Sequence, residues 1–200
     1  MTQDDAGRHV RSKSGISSPQ LSSRLSWSRL RAYLACPRAF EYRYVLEVPP
    51  ERTPASLAVG IAVHKAVELA LERRLEGLES PTPEESKSVV ESVFSTLDPP
   101  IATTAKEEGA DCDVAVRCAA KIVEALPTLI TGEILAIEDT LDGKPWADLP
   151  PITGRVDLVT RTPEGFRVID FKTSRARWSP LDVSLQAGQL LLYKSIAQGA

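Results

Sequence analysis

Three residues in the second half of the chain carry side chains that can do hydrolytic chemistry together. Asp157 lies in the run GRVDLVT, and Asp170 and Lys172 lie in VIDFKT, the two acids being 13 positions apart. Pro163-Glu164-Gly165 separates the runs and reads as a turn, so they pair as a hairpin. With the turn there, Asp157 and Asp170 fall almost opposite one another, and cross-strand neighbours have Cβ atoms about 5 Å apart. Two carboxylates at that distance can share one hard cation; Mg²⁺ prefers oxygen ligands and keeps several waters in such a site. Lys172 follows Asp170 by two positions, which in a strand puts both side chains on one face. Its ammonium can orient an attacking water or stabilise charge building on a phosphate. Phe171 points the other way, into the core, while its backbone carbonyl is placed to face the cation.

Many Asp-x-Lys triplets at strand ends are surface ion pairs of small energetic weight. Here both acids interrupt apolar runs: Asp157 sits among Val156, Leu158 and Val159, and Asp170 follows Val168-Ile169. Carboxylates in such runs cost free energy unless they are paired or metal-bound.

The elements that must position these residues can be read from the pattern. Residues 1 to 24 are rich in Ser, Arg, Lys and Gly and read as a disordered tail. Ser26 is a good N-cap for a helix carrying Trp27, Leu30, Tyr33 and Leu34, and Pro37 restarts it towards Tyr44. A proline-rich loop over 48–54 leads to an amphipathic helix over 57–75, stopped near Gly77. A capped helix spans roughly 80–100, and another runs from Asp111 to Leu126, stopped by Pro127. These two form a helical insertion over about 80–127. The pattern then alternates: strands are predicted over 133–140, 152–160 and 166–171, and a closing helix over 180–197. Helices, three strands and a helix imply an α/β (α+β) domain over 25–200 with a mixed sheet of at least three strands flanked by helices.

Further polar residues fall on these elements. His64 lies on the 57–75 helix, four residues after Gly60, which leaves room for close backbone approach on that face. Gln189 and Tyr193 share one face of the last helix. Glu138 sits in the strand before the hairpin. Arg155, Arg175 and Arg177 flank the acids as candidate phosphate contacts, and Trp178 is a candidate for stacking on a base.

Taken in order, Ser26-x-Ser28-Arg29-Leu30, Cys36-Pro37, Phe40, Tyr44, Gly60-x-x-x-His64, Gly154-x-x-Asp157, Asp170-x-Lys172 and Gln189-x-x-x-Tyr193 resemble the PD-(D/E)xK nuclease superfamily. Within it they resemble the RecB-type exonuclease branch, which is related to the CRISPR-associated adaptation nucleases. The resemblance covers residues 25 to about 198. It implies a restriction-endonuclease-like core and a divalent-metal-dependent DNA nuclease, an exonuclease working in repair, recombination or mobile-element processing. It implies His64, Asp157 and Asp170 as metal ligands with the Phe171 carbonyl, Lys172 as the catalytic lysine, and Gln189 and Tyr193 as supporting or DNA-contacting residues. Glu138 and Arg155 are further candidates. The imidazole makes Mn²⁺ as suitable as Mg²⁺. The implied partners are single-stranded DNA or duplex ends and a helicase or other recombination subunit. The alternative is a non-catalytic DNA-binding or scaffolding subunit of a helicase–nuclease complex.

Two features depart from the branch. Its members often carry an iron–sulfur cluster, for which Cys36 matches one position, but Cys112 and Cys118 match none, so no cluster is expected in this chain. A further strand usually follows the Gln-x-x-x-Tyr helix; the chain is expected either to be a piece of a longer protein or to lack that edge strand. The net charge of -3 argues against a general polyanion binder but allows a local basic groove beside an acidic site. No apolar run approaches the roughly 20 residues of a transmembrane helix, and three irregularly spaced cysteines fit a reduced, cytoplasmic setting.

Overall fold

The structure of the chain is a computed structural model that describes residues 24–174 and 178–199. The N-terminal tail and the arginines at 175 and 177 therefore lie outside the described residues. In chain order the elements are α1 (Trp27–Ala35), α2 (Pro37–Phe40), a π-helical turn (Glu41–Val45), α3 (Ala55–Leu75), α4 (Pro83–Thr96), α5 (Ala105–Leu129), β1 (Glu133–Gly143), β2 (Ile152–Thr162), β3 (Gly165–Ile169) and α6 (Pro180–Gly199). This is a mixed α/β arrangement, a three-stranded sheet in the order β1-β2-β3 flanked by helices, consistent with a restriction-endonuclease-like core. The named strands all pair antiparallel, where a mixed sheet was expected, and an isolated parallel bridge joins Leu25 to Ile152 beside β2.

Local chemistry explains most boundaries. Ser26 caps α1 by accepting from the Arg29 N–H. Thr82 and Glu85 form a capping box at the start of α4, and Thr104 and Glu107 form another at the start of α5, each cap contributing about 1 kcal/mol. That second box corrects the expected start of the helix at Asp111, since α5 begins at Ala105. Pro127 does not stop α5 either. It sits in the last turn, where its missing N–H removes a single intrahelical bond, and the helix runs on to Leu129.

Helices α3, α4 and α5 bury one hydrophobic cluster that includes Val63, Val67, Leu71, Val90, Phe94 and Leu126 and reaches Leu158 and Phe171. The buried face of α3 carries Ala58, Ala62, Ala66 and Ala70, small side chains that let α5 approach closely through Ala115 and Ala119. A second, smaller cluster joins Ile152 and Val156 of β2 to Tyr193 and Ile196 of α6. β2 thus lies between both cores, which is why its burial does not simply alternate.

The ladders set the site. β2 and β3 pair from Leu158↔Ile169 to Thr162↔Gly165, as the turn predicts. Gly165 has φ of 130°, a conformation that needs glycine. Strand β3 ends at Ile169, two residues short of the expected Phe171, and continuing its register by one residue sets Asp157 opposite Asp170. β1 pairs with β2 from Glu133↔Arg161 and Ile134↔Thr160, then slips by one residue at Leu135 and resumes with Ala136↔Val159 and Ile137↔Leu158. The resumed register sets Glu138 opposite Asp157. Without the extra residue Glu138 would face Val156. Bulges of this kind commonly re-aim a side chain, and Glu138 itself has φ of 46°, the left-handed region that costs a non-glycine residue about 1–2 kcal/mol.

Candidate active site

His64 projects from the middle of α3 towards the bulged end of the sheet. Its Nε2 lies 2.8 Å from the carbonyl oxygen of Phe171. A carbonyl only accepts, so this nitrogen carries the hydrogen. Nδ1 then faces two acids, at 3.2 Å from Glu138 Oε1 and 3.5 Å from Asp157 Oδ1. A histidine whose second nitrogen donates to a backbone carbonyl is oriented in the way metal-bound imidazoles usually are.

His64, Glu138 and Asp157 each offer one ligand atom, and those three atoms lie within 4.8 Å of one another. Asp157 is buried, 7% exposed, and burial pushes its carboxyl up to about 6. The charges of Asp170 and Glu138 push the same way, while the His64 ring and the Phe171 N–H, which donates to Asp157 Oδ2 at 2.5 Å, pull it down. A buried carboxylate short of compensating positive charge, beside a second acid and an imidazole nitrogen, fits a divalent cation. One nitrogen with two carboxylate oxygens suits Mn²⁺ or Mg²⁺ completed by water.

Glu138 has a second partner: Arg155 Nε lies 2.8 Å from Glu138 Oε2, on a side chain that is 61% exposed. The guanidinium therefore covers the outer edge of the acidic pair and also faces solvent.

A separate network holds Asp170. Lys172 Nζ lies 2.7 Å from Asp170 Oδ2 and 2.9 Å from Oδ1, and Gln189 Nε2 donates to Oδ1 at 3.0 Å. The other Gln189 N–H reaches the Tyr193 hydroxyl at 2.6 Å, and that hydroxyl donates to the Arg155 carbonyl at 2.7 Å. Tyr193 is 3% exposed, and burial raises its phenol above the ordinary value. α6 thereby fixes both Asp170 and the backbone of β2 beside Asp157. The ring of Tyr193 fits because position 154 is glycine: a Cβ there would lie 2.2 Å from Tyr193 Cε1.

His64, Glu138, Arg155, Asp157 and Lys172 line a single open cavity of about 550 Å³, with Ser28 of α1 on its wall. Six of the expected site residues, His64, Glu138, Arg155, Asp157, Phe171 and Lys172, line this cavity, and Asp170, Gln189 and Tyr193 join them through the hydrogen bonds just described. Glu138 joins His64 and Asp157. Asp170 stands on the same rung as Asp157 but turns its carboxylate to Lys172 and Gln189. The Phe171 carbonyl accepts from His64. Gly60 also lines the cavity, but a Cβ there would meet Thr173 Oγ1 at an ordinary 3.7 Å, so close approach is not what it supplies. Ser28 and Thr173 line the cavity without having been singled out as site residues. Their positions, in the first motif and next to Lys172, were the available signal. Trp178 is partly buried, and the arginines at 175 and 177 lie outside the described residues.

Cys36, Cys112 and Cys118 are free thiols, and Cys36 caps α2 by accepting from the Ala39 N–H. No helix among the described residues is long and apolar enough to cross a membrane.

The family model of the PD-(D/E)XK nuclease superfamily matches residues 24–200. A comparison with curated proteins gives no match.

Proposed function

This chain belongs to the PD-(D/E)XK nuclease superfamily, and we propose that it is a divalent-metal-dependent deoxyribonuclease of the RecB-type branch that trims DNA from an end. The convergence of His64 Nδ1, Glu138 and Asp157 within 4.8 Å carries the reading, because it is a ligand set with a lysine-bearing acid next to it. A divalent cation bound there supplies positive charge that acidifies water and offsets the charge of a scissile phosphate.

The chain's own residues then have distinct tasks. His64 is held in one tautomer by the Phe171 carbonyl. Asp157 is fixed by the Phe171 N–H, and Glu138 is held by Arg155. Lys172 stands at the cavity with its ammonium against Asp170, where it can hold an attacking water or stabilise an equatorial phosphate oxygen as charge develops. Asp170 orients Lys172, and the Gln189–Tyr193 pair orients Asp170. Arg155 is a solvent-facing cation at the cavity that can meet a phosphate. Repair, recombination or mobile-element processing in the cytoplasm, beside a helicase subunit, is the setting that the branch suggests.

The test is degradation of end-labelled linear DNA in Mg²⁺, Mn²⁺ or EDTA by the wild type, Asp157→Asn and Lys172→Ala. Metal-dependent loss of label in the wild type alone supports the reading. A wild type that binds DNA without cutting it under either metal leaves a DNA-holding or scaffolding subunit in its place.

A further inference from the structure

The segment from Arg24 to Val48 has a charge opposite to that of the whole chain. It holds five arginines against two glutamates, in a protein whose net charge is -3. The same segment gathers aromatic rings. Arg29 lies over the ring of Tyr44 at 4.9 Å; Tyr44 meets Phe40 at 5.3 Å; Phe40 meets Tyr33 edge-on at 5.5 Å. Arg43 also lies on Tyr44, and Arg38 lies over Tyr42 at 4.9 Å. Tyr33 and Tyr42 are 52% and 44% exposed, with Leu30, Leu34 and Leu46 exposed beside them. Large rings and leucines left in water, interleaved with cations, do not serve a core.

The row lies beside the cavity: Ser28 of α1 lines the cavity wall, and the same helix carries Arg29 and Tyr33, which with Tyr44 and Phe40 form the row. α1 is held in that position from below, since Trp27 packs where a Cβ on Gly188 of α6 would come within 2.2 Å of its ring, and Arg31 reaches Gln186. The face is therefore fixed to the helix that also orients Asp170.

We propose that the face formed by α1, α2 and the π-helical turn is a stacking platform for single-stranded DNA, leading a strand into the cavity of His64 and Lys172. The occupant follows from chemistry. Exposed rings accept unpaired bases, whose faces are hidden in a duplex, and the arginines between them, of which Arg38 also pairs with Glu41 at 3.1 Å, supply positive charge for a phosphate backbone. What then happens to the strand rests on the nuclease reading; its binding does not.

The experiment is fluorescence anisotropy of a labelled oligo-dT of about 15 nucleotides, in EDTA and at several salt concentrations, with a duplex of the same length beside it. The proteins are the wild type, Tyr33→Ala/Tyr42→Ala, and Arg38→Glu/Arg43→Glu, each with a thermal melt. The expected result is preference for the single strand, at least about tenfold weaker binding in the tyrosine variant, and a shallower salt dependence in the arginine variant. Wild-type affinity for oligo-dT in both variants overturns the proposal, as does binding of duplex alone. Should the tyrosine variant fail to fold, the arginine variant decides, because both its positions are exposed. Cleavage separates the two readings. Binding that the variants lose, without cutting by the wild type, sinks the nuclease and keeps the platform; cutting with variants that bind like the wild type does the reverse.

Discussion

Glu138 and Asp157 stand opposite one another because β1 carries one extra residue, at Leu135. Before the slip the register would have set Glu138 against Val156; after it, the two carboxylates share a rung and both face His64 Nδ1, at 3.2 Å and 3.5 Å. The left-handed backbone at Glu138 belongs to the same local distortion. The left-handed φ at Glu138 costs a non-glycine residue about 1–2 kcal/mol, and the register it belongs to is the one that pairs the two acids.

Glu138→Gln is isosteric and keeps the hydrogen bond from Arg155 available, so the fold should survive. It removes one of the two charges that face the imidazole. Cleavage should fall by at least about tenfold, with the far-UV spectrum unchanged. Wild-type turnover in this variant removes Glu138 from the site.

Asp157 makes the metal-free protein sensitive to pH. Its folded value, about 6, lies above the unfolded value of about 4. The folded state therefore binds more protons than the unfolded state between those values, and stability is lost as pH rises through them. In EDTA, the contribution of Asp157 to stability should fall from about pH 4.5 to 7, and Asp157→Asn should remove that fall relative to the wild type and be more stable at neutral pH by about 2 kcal/mol or less. A variant that melts lower than the wild type at neutral pH contradicts the assignment.

Lys172 is expected to act on the reaction and not on the cation. Lys172→Ala should lose at least about a hundredfold in turnover while Mn²⁺ affinity stays within a few-fold of wild type by calorimetry. A parallel collapse of metal binding would make Lys172 structural.

Much of this arrangement was legible in the sequence. The Pro163-Glu164-Gly165 turn fixes the hairpin register, and that register sets Asp157 against Asp170. Helical spacing places His64, Gln189 and Tyr193 on the correct elements. What was not legible depends on geometry that spacing does not encode. Glu138 sits in an alternating run, EILAIEDT, and nothing in that run announces the slip at Leu135. Asp170 has neighbours on both sides, and which of them takes its carboxylate depends on how α6 crosses the sheet. Pro127 reads as a stop, yet a proline in a last turn costs too little to end a helix that is packed along its length.

Gly154 shows the same dependence on packing. A Cβ there would sit 2.2 Å from the Tyr193 ring. Gly154→Ala should destabilise by about 1–3 kcal/mol through overpacking and depress activity, because Tyr193 ties Gln189 to the Arg155 carbonyl. Tyr193→Phe, which leaves that carbonyl without its donor, should cost about 1–3 kcal/mol by itself. Chemical denaturation measures both, and a fully stable Gly154→Ala variant would mean that Tyr193 sits elsewhere.

The most direct test of the site is calorimetric titration of Mn²⁺ into the wild type, His64→Ala, Glu138→Gln, Asp157→Asn and Lys172→Ala. The account predicts saturable binding in the wild type and in Lys172→Ala, and its loss or a drop of at least about tenfold in each of the other three. Saturable binding that Glu138→Gln leaves at wild-type affinity would contradict it.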